Sequence, residues 1–197
     1  VKQADVVLLG WHKPLFGAAM LSGTVHDVMD HARSDVAVLV DRGLKQVSRV
    51  LVPFVGTAHD KAALALAKRI AENTGAHVTV LHVISTPDAS GDSQVGDRVK
   101  ETFHEEGGHA YDVALKIVPH TEPSRAVLDE AANGHDLILV GIGKQWGLEH
   151  RSFGLQAETI LSRAPISVLV VRAGAPVTAE LAEDEKSRVR DRFVTAP

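Results

Sequence analysis

Short apolar runs alternate with helix-patterned segments along most of the chain. The runs are Asp5–Gly10 (DVVLLG), Asp35–Asp41 (DVAVLVD), Arg49–Phe54 (RVLVPF), His77–Val83 (HVTVLHV), Asp112–Val118 (DVALKIV), Asp136–Gly141 (DLILVG) and Ile166–Val171 (ISVLVV). They are rich in Val, Leu and Ile with little alternation, which predicts strands buried on both faces. Between them, helices are predicted over about Thr24–Ala32, His59–Gly75, Val95–Glu106, Glu122–Gly134 and about Leu155–Arg163. In the second of these, Ala63, Leu66, Ala67 and Ile70 recur at helical spacing. Thr57 followed three residues later by Asp60 resembles a capping box, and Gly75 stands at the C′ place. Pro123 near one helix start and Gly134 past its end follow the same asymmetry.

Strand and helix in strict alternation predict a parallel sheet with helices on both faces. The complete unit runs over about Ser48–Arg172 and carries five strands, while Val1–Leu44 contributes only strand, helix, strand. A lone unit of that kind cannot bury both faces of its sheet. The residues from Ala173 onward are polar, with a short charged helix candidate over Thr178–Phe193.

An internal repeat explains the uneven division. Gly10 matches Gly141, Lys13 matches Lys144 and Gly23 matches Gly154, an offset of 131 residues with nine residues between lysine and glycine in both copies. Asp27 matches Glu158, and HARSDVAVLV (His31–Val40) matches RAPISVLVV (Arg163–Val171) after a one-residue slip. The expected organisation is therefore residues 1–45 as the C-terminal half of a first repeat, 46–174 as a complete domain and 175–197 as a polar tail. Val1 in place of Met predicts a natural start upstream.

Composition narrows the function classes. A net charge of -4 argues against a nucleic-acid surface, and the absence of cysteine excludes disulfides and thiol catalysis. No apolar run approaches the roughly 20 residues that span a bilayer, so no membrane insertion of this segment is expected.

The strand–glycine loop–helix–SVLVVR ending, the stretch Arg49–Val83 and the domain length resemble the universal stress protein family. More narrowly, LLGWHKP, VHDVM, DVAVLVDRGL and WGLE (Trp146–Glu149) resemble the tandem region at the C-terminus of bacterial cation/proton antiporters. The resemblance implies a five-stranded parallel sheet like that of adenine-nucleotide-binding α/β domains. It also implies a cytoplasmic regulatory domain on a transmembrane transport domain of the same polypeptide. The alternatives are a soluble tandem stress protein that binds ATP or another adenine nucleotide, the regulatory tail of an amino-acid permease, or a structural dimerisation module in which Val36–Val40 and Val168–Val171 pair. A homo-oligomer is expected, since an open sheet edge seeks a partner.

In the ATP-binding branch of that family the loop reads Gly-x-x-Gly, nine residues, then Gly-Ser/Thr. Glycines admit close approach of backbone N–H groups to phosphate, and the following helix start adds donors. Here Lys144 replaces the second glycine, Leu155 replaces the hydroxyl residue and Val55 stands where an aspartate contacts the nucleoside. Losing a hydroxyl bond to charged phosphate costs about 1.5–3 kcal/mol. The site expected at the carboxyl ends of the strands comprises Pro53, Val55, Gly56, Val83, Gly141, Gly143, Lys144 and Gly154, with Gly10, Lys13, Gly23 and Thr24 as first-repeat equivalents. An adenine nucleotide is its expected ligand, weakly held if held at all.

Other candidates carry less. His26 with His31, and His104 with His109, are five apart rather than at the i,i+4 spacing of a zinc helix. His82 reads as a core or pocket-edge residue, His59-Asp60 as a helix start, and Ser152-Phe153-Gly154 is no nucleophile elbow. Trp11 and Trp146 read as packing residues at equivalent loop positions. Nothing assembles a nucleophile, a base and oxyanion donors, so neither a catalytic site nor a metal site is expected.

Overall fold

The structure is a computed structural model that describes residues 5–11, 24–84, 97, 101, 113–143 and 157–174. The tail beyond 174, the polar stretch 85–94 and nearly all of the helix expected over 95–106 lie outside the described residues. In chain order the elements are β1 (Val6–Trp11), α1 (Thr24–His31), β2 (Asp35–Val40), β3 (Arg49–Pro53), α2 (Ala58–Thr74), β4 (His77–Ile84), β5 (Val113–Pro119), α3 (Pro123–Ala131), β6 (Leu137–Gly141), α4 (Ala157–Arg163) and β7 (Ser167–Arg172).

Local signals account for the helix ends. Thr57 is the N-cap of α2, and the reciprocal bonds with Asp60 close a capping box. Gly75, at φ 72°, ends that helix in the left-handed conformation that glycine adopts without strain. Pro123 occupies the first turn of α3, where its missing N–H costs nothing.

The described strands form one seven-stranded sheet in the order β1-β2-β7-β6-β3-β4-β5. The five strands from β7 to β5 are mutually parallel. β1 and β2 are parallel to each other, but β2 meets β7 antiparallel, with Val36 opposite Arg172 and Val40 opposite Val168. The opening segment therefore adds two strands to the five-stranded sheet, beside β7. The reason is edge burial: all six residues of β7 are buried, and without β2 this apolar strand would present an unpaired edge.

Strand alternation divides the core into two layers. Leu51, Ile138, Val140, Val168 and Val170 pack with Met29 of α1, Val127 of α3 and Ile160 of α4. Val50, Val52, Leu139, Leu169 and Val171 pack with Ala63, Leu64, Ala67 and Ala71 of α2. Helices thus cover both faces. The alanines of α2 recur every four residues, so the helix lies close to the sheet, while Leu66 and Ile70 sit at the margin of the core.

Polar groups clamp both ends of the β2–β7 seam. At one end the buried Arg172 donates through Nη2 to the Ala32 carbonyl beyond α1 (2.5 Å), and the Gly174 N–H donates to the Asp35 carboxylate (2.7 Å). At the other, Arg42 donates through Nη2 to the Leu161 carbonyl of α4 (2.5 Å) and through its N–H to the Ser167 hydroxyl (2.7 Å), which in turn donates to Asp41 (3.0 Å). An arginine at or just beyond the end of each strand thus bonds the helical part of the other block.

Candidate functional site

The carboxyl ends of β3, β4 and β6 carry Pro53, Val83 and Gly141, and the adjoining loops carry Val55, Gly56 and Gly143. Pro53, Val55 and Val83 line one shallow apolar cleft together with Phe54, Leu81, Pro123 and Val127. The last four were not expected at the site from the sequence. Pro123 and Val127 stand far along the chain from Pro53, and only the crossover from β5 to β6 brings α3 back to the cleft. Gly10 and Thr24 lie elsewhere: because β2 runs against β7, the carboxyl end of β1 and the start of α1 belong to the opposite end of the sheet. Lys13, Gly23, Lys144 and Gly154 lie outside the described residues, as does Trp146. Trp11 is buried in the core against the α1 layer.

The loop from β3 to α2 is held from within. Gly56 has φ 93°, a conformation that side chains rarely adopt. Asp60, 4% exposed, accepts from the Val55 N–H (3.2 Å) and the Thr57 N–H (3.0 Å), and its own N–H donates to the Thr57 hydroxyl (3.1 Å). Burial pushes the Asp60 carboxyl up, against the lowering effect of those Thr57 and Val55 bonds. The amides that a ligand would seek at this turn are therefore already engaged by the protein's own carboxylate. His82 donates from Nδ1 to the Phe54 carbonyl (2.9 Å), since a carbonyl can only accept. That bond joins β4 to the end of β3 on the cleft's rim.

Gly141 has a packing role. A Cβ there would stand 2.5 Å from the His59 carbonyl carbon, 2.6 Å from the Asp60 nitrogen and 2.7 Å from Asp60 Oδ1. The first turn of α2 thus sits directly on the end of β6, and only glycine leaves room for it. Gly143 is looser, its Cβ position lying 3.4 Å from His59 Nε2. His59 itself accepts from the Ala173 N–H through Nδ1 (3.0 Å), and burial pulls its pKa down. Polar side chains of the site serve to fix the loops, and the cleft is lined by apolar side chains, of which Phe54, Leu81 and Val127 are buried.

Known proteins share this sequence pattern and this sheet. Residues 46–172 match the sequence profile of the Universal stress protein family. The "Universal stress protein in QAH/OAS sulfhydrylase 3'region" of Thermus aquaticus is 31% identical over 134 residues, covering 62% of this chain and 97% of that protein. "Cation/H(+) antiporter 26" of Arabidopsis thaliana is 28% identical over 169 residues, covering 75% of this chain but 21% of the antiporter. The chain thus spans about a fifth of the length of that relative. Among solved structures, a universal stress protein from Archaeoglobus fulgidus DSM 4304 superimposes with a TM-score of 0.57 at 22% identity, covering 77% of this chain and 56% of that one. A universal stress protein in complex with cAMP superimposes with a TM-score of 0.51 at 18% identity, covering 64% of this chain and 97% of that one. These two likenesses concern the fold. On the profile match, and on the near-complete coverage of the Thermus protein, this chain belongs to the universal stress protein family.

Proposed function

We propose that the chain is a non-catalytic regulatory module on the cytoplasmic side of a membrane cation/proton antiporter, joined in one polypeptide to the transport domain. The observation that carries this reading is the extent of the antiporter match. It covers 75% of the chain, more than residues 46–172, and so reaches beyond the single family domain. The Thermus protein, by contrast, is matched over nearly its whole length by 62% of this chain. On the same reading residues 1–45 are the C-terminal half of a first repeat, residues 46–174 a complete domain and residues 175–197 a tail. The like order of β1–α1–β2 and β6–α4–β7 supports that division. Among the described residues no helix is long and apolar enough to cross a membrane, in keeping with a module attached to a separate transport domain. Comparing transport by the parent antiporter with and without this segment tests the proposal. A change in rate or in response to effectors is expected; identical transport overturns it.

For the site, the reading is a degenerate adenine-nucleotide pocket formed by Pro53, Val55, Gly56, Val83, Gly141, Gly143, Lys144 and Gly154. Its apolar wall and the cAMP complex of a structural relative favour an adenine ring. The engaged amides of Val55 and Thr57 and the loss of an aspartate at Val55 favour weak affinity. Calorimetry with ATP, AMP and cAMP is expected to show binding weakened by about tenfold or more for each missing phosphate or ribose bond. Micromolar ATP affinity that falls on Lys144→Ala would instead favour a soluble ATP-binding stress protein. Self-association would use β1, the outermost of the described strands on its side of the sheet, where Leu8 is 65% exposed.

A further inference from the structure

Three consecutive residues at the end of β7 bind three different parts of the molecule. Arg172 reaches back to the Ala32 carbonyl, the Gly174 N–H meets the Asp35 carboxylate, and between them the Ala173 N–H donates to Nδ1 of His59 (3.0 Å) in the first turn of α2. A Cβ on Gly174 would fall on the Arg33 carbonyl oxygen, so this strap lies tight against the end of α1. His59 thus links the strap to the helix start that also carries Asp60, backs Gly141 and touches the Gly143 position.

A backbone N–H only donates, so the ring atom that it meets must keep its lone pair. A proton on Nδ1 would set two N–H groups head to head. We propose that His59 is a proton-operated latch, which holds the Ala173–Gly174 strap to α2 while Nδ1 is unprotonated and releases it on acidification. The charged groups that face the ring are Asp60 on its own helix, Asp35 of β2 and Arg172 of β7, with Asp30 of α1 near the Arg172 guanidinium. Burial lowers the pKa of His59, as does Arg172, against the raising effect of Asp60 and Asp35. A depressed histidine favours the fold fully above its ordinary value of 6.5, and this contribution is lost as pH falls below 6.5 toward the folded value. The latch joins the β2–β7 seam to the candidate site, and it stands whether or not a nucleotide binds there.

The test uses the 197-residue chain labelled with nitrogen-15. At pH 7.5 the ring shifts of His59 should show Nδ1 without a proton. The hydrogen-exchange protection of the Ala173 amide, corrected for the intrinsic rate, should fall by at least about tenfold between pH 7.5 and pH 5. His59→Asn, which keeps an acceptor near the Nδ1 position and cannot be protonated, should hold its protection over that range. A protonated Nδ1 at pH 7.5, unchanged protection in the wild type, or the same fall in both proteins overturns the latch. Should His59→Asn fail to fold, the wild-type ring shifts and amide protection decide the matter.

Discussion

Gly141 and Gly10 stand in comparable places: each lies at or near the carboxyl end of a strand, β6 or β1, that precedes a helix in the chain. Their surroundings differ completely. At Gly141 the first turn of α2 lies so close that a methyl group would collide with its backbone, whereas at Gly10 an added Cβ meets nothing within 4 Å among the described residues. The same contrast extends along the strands. β6 and β7 are buried almost throughout, and β1 leaves Leu8 65% exposed. A glycine in a strand-to-helix loop therefore has no fixed meaning. What packs over it decides whether its missing side chain serves the fold, a ligand or neither.

The sharpest way to break this contrast is to substitute both glycines. Gly141→Ala is expected to cost about 3 kcal/mol in chemical denaturation, because the two nearest colliding atoms are backbone and cannot rotate away. Gly10→Ala should stay within about 0.5 kcal/mol. Equal effects would mean that the crowding around β6 is not what requires glycine there. Next in size is the seam that joins the two blocks. Arg172→Ala removes a buried stem and the bond to Ala32, and about 2–3 kcal/mol should be lost in a urea titration. Arg172→Met should recover part of that loss, since it refills the space and removes an Nε that has no partner among the described residues.

Removing the carboxylate beneath the site loop ranks third. Asp60→Ala deletes the capping box and leaves the Val55 and Thr57 amides without their acceptor, for about 1–2 kcal/mol. The pH dependence follows from two histidines whose pKa values burial lowers, His59 and His135. His135 donates from Nδ1 to the Glu130 carbonyl, and its buried Nε2 has no hydrogen-bond partner among the described residues. Both favour the fold while neutral, so thermal stability should decline as pH falls below 6.5, and His135→Gln should reduce the slope. The smallest expected effect is that of Leu8→Lys, within about 0.5 kcal/mol at so exposed a position. Its value lies in a second readout. Sedimentation should show fewer dimers if β1 is the self-associating edge, and an unchanged distribution would exclude that edge.

Much of the fold is written locally. The Thr57–Asp60 box, the Gly75 stop and Pro123 in the first turn of α3 each act within a few residues of their own position, so short-range rules suffice to find them. The apolar runs mark the strands because central parallel strands bury both faces. What the sequence conceals depends on distant neighbours. Arg172 reads as a polar end to a strand, yet it is 1% exposed because a carbonyl 140 positions away receives it. Gly141 reads as a phosphate-loop glycine, and nothing in its own segment announces that α2 will press on it. Phe54, Leu81, Pro123 and Val127 reach the cleft only through sheet order. The antiparallel meeting of β2 and β7 is suggested by two like apolar strands, but their register is fixed by the clamps at Arg42 and Arg172.

The seam also has a mechanical meaning. A tether pulling on Asp5 would load β1 lengthwise, and the force would cross to β2 and then β7 as shear shared by whole ladders of bonds. Strands stressed in that way must break many bonds together, whereas a peeled edge yields them one at a time. A lengthwise pull on β1 would thus be shared across the ladders of the described sheet instead of being borne by one bond at a time.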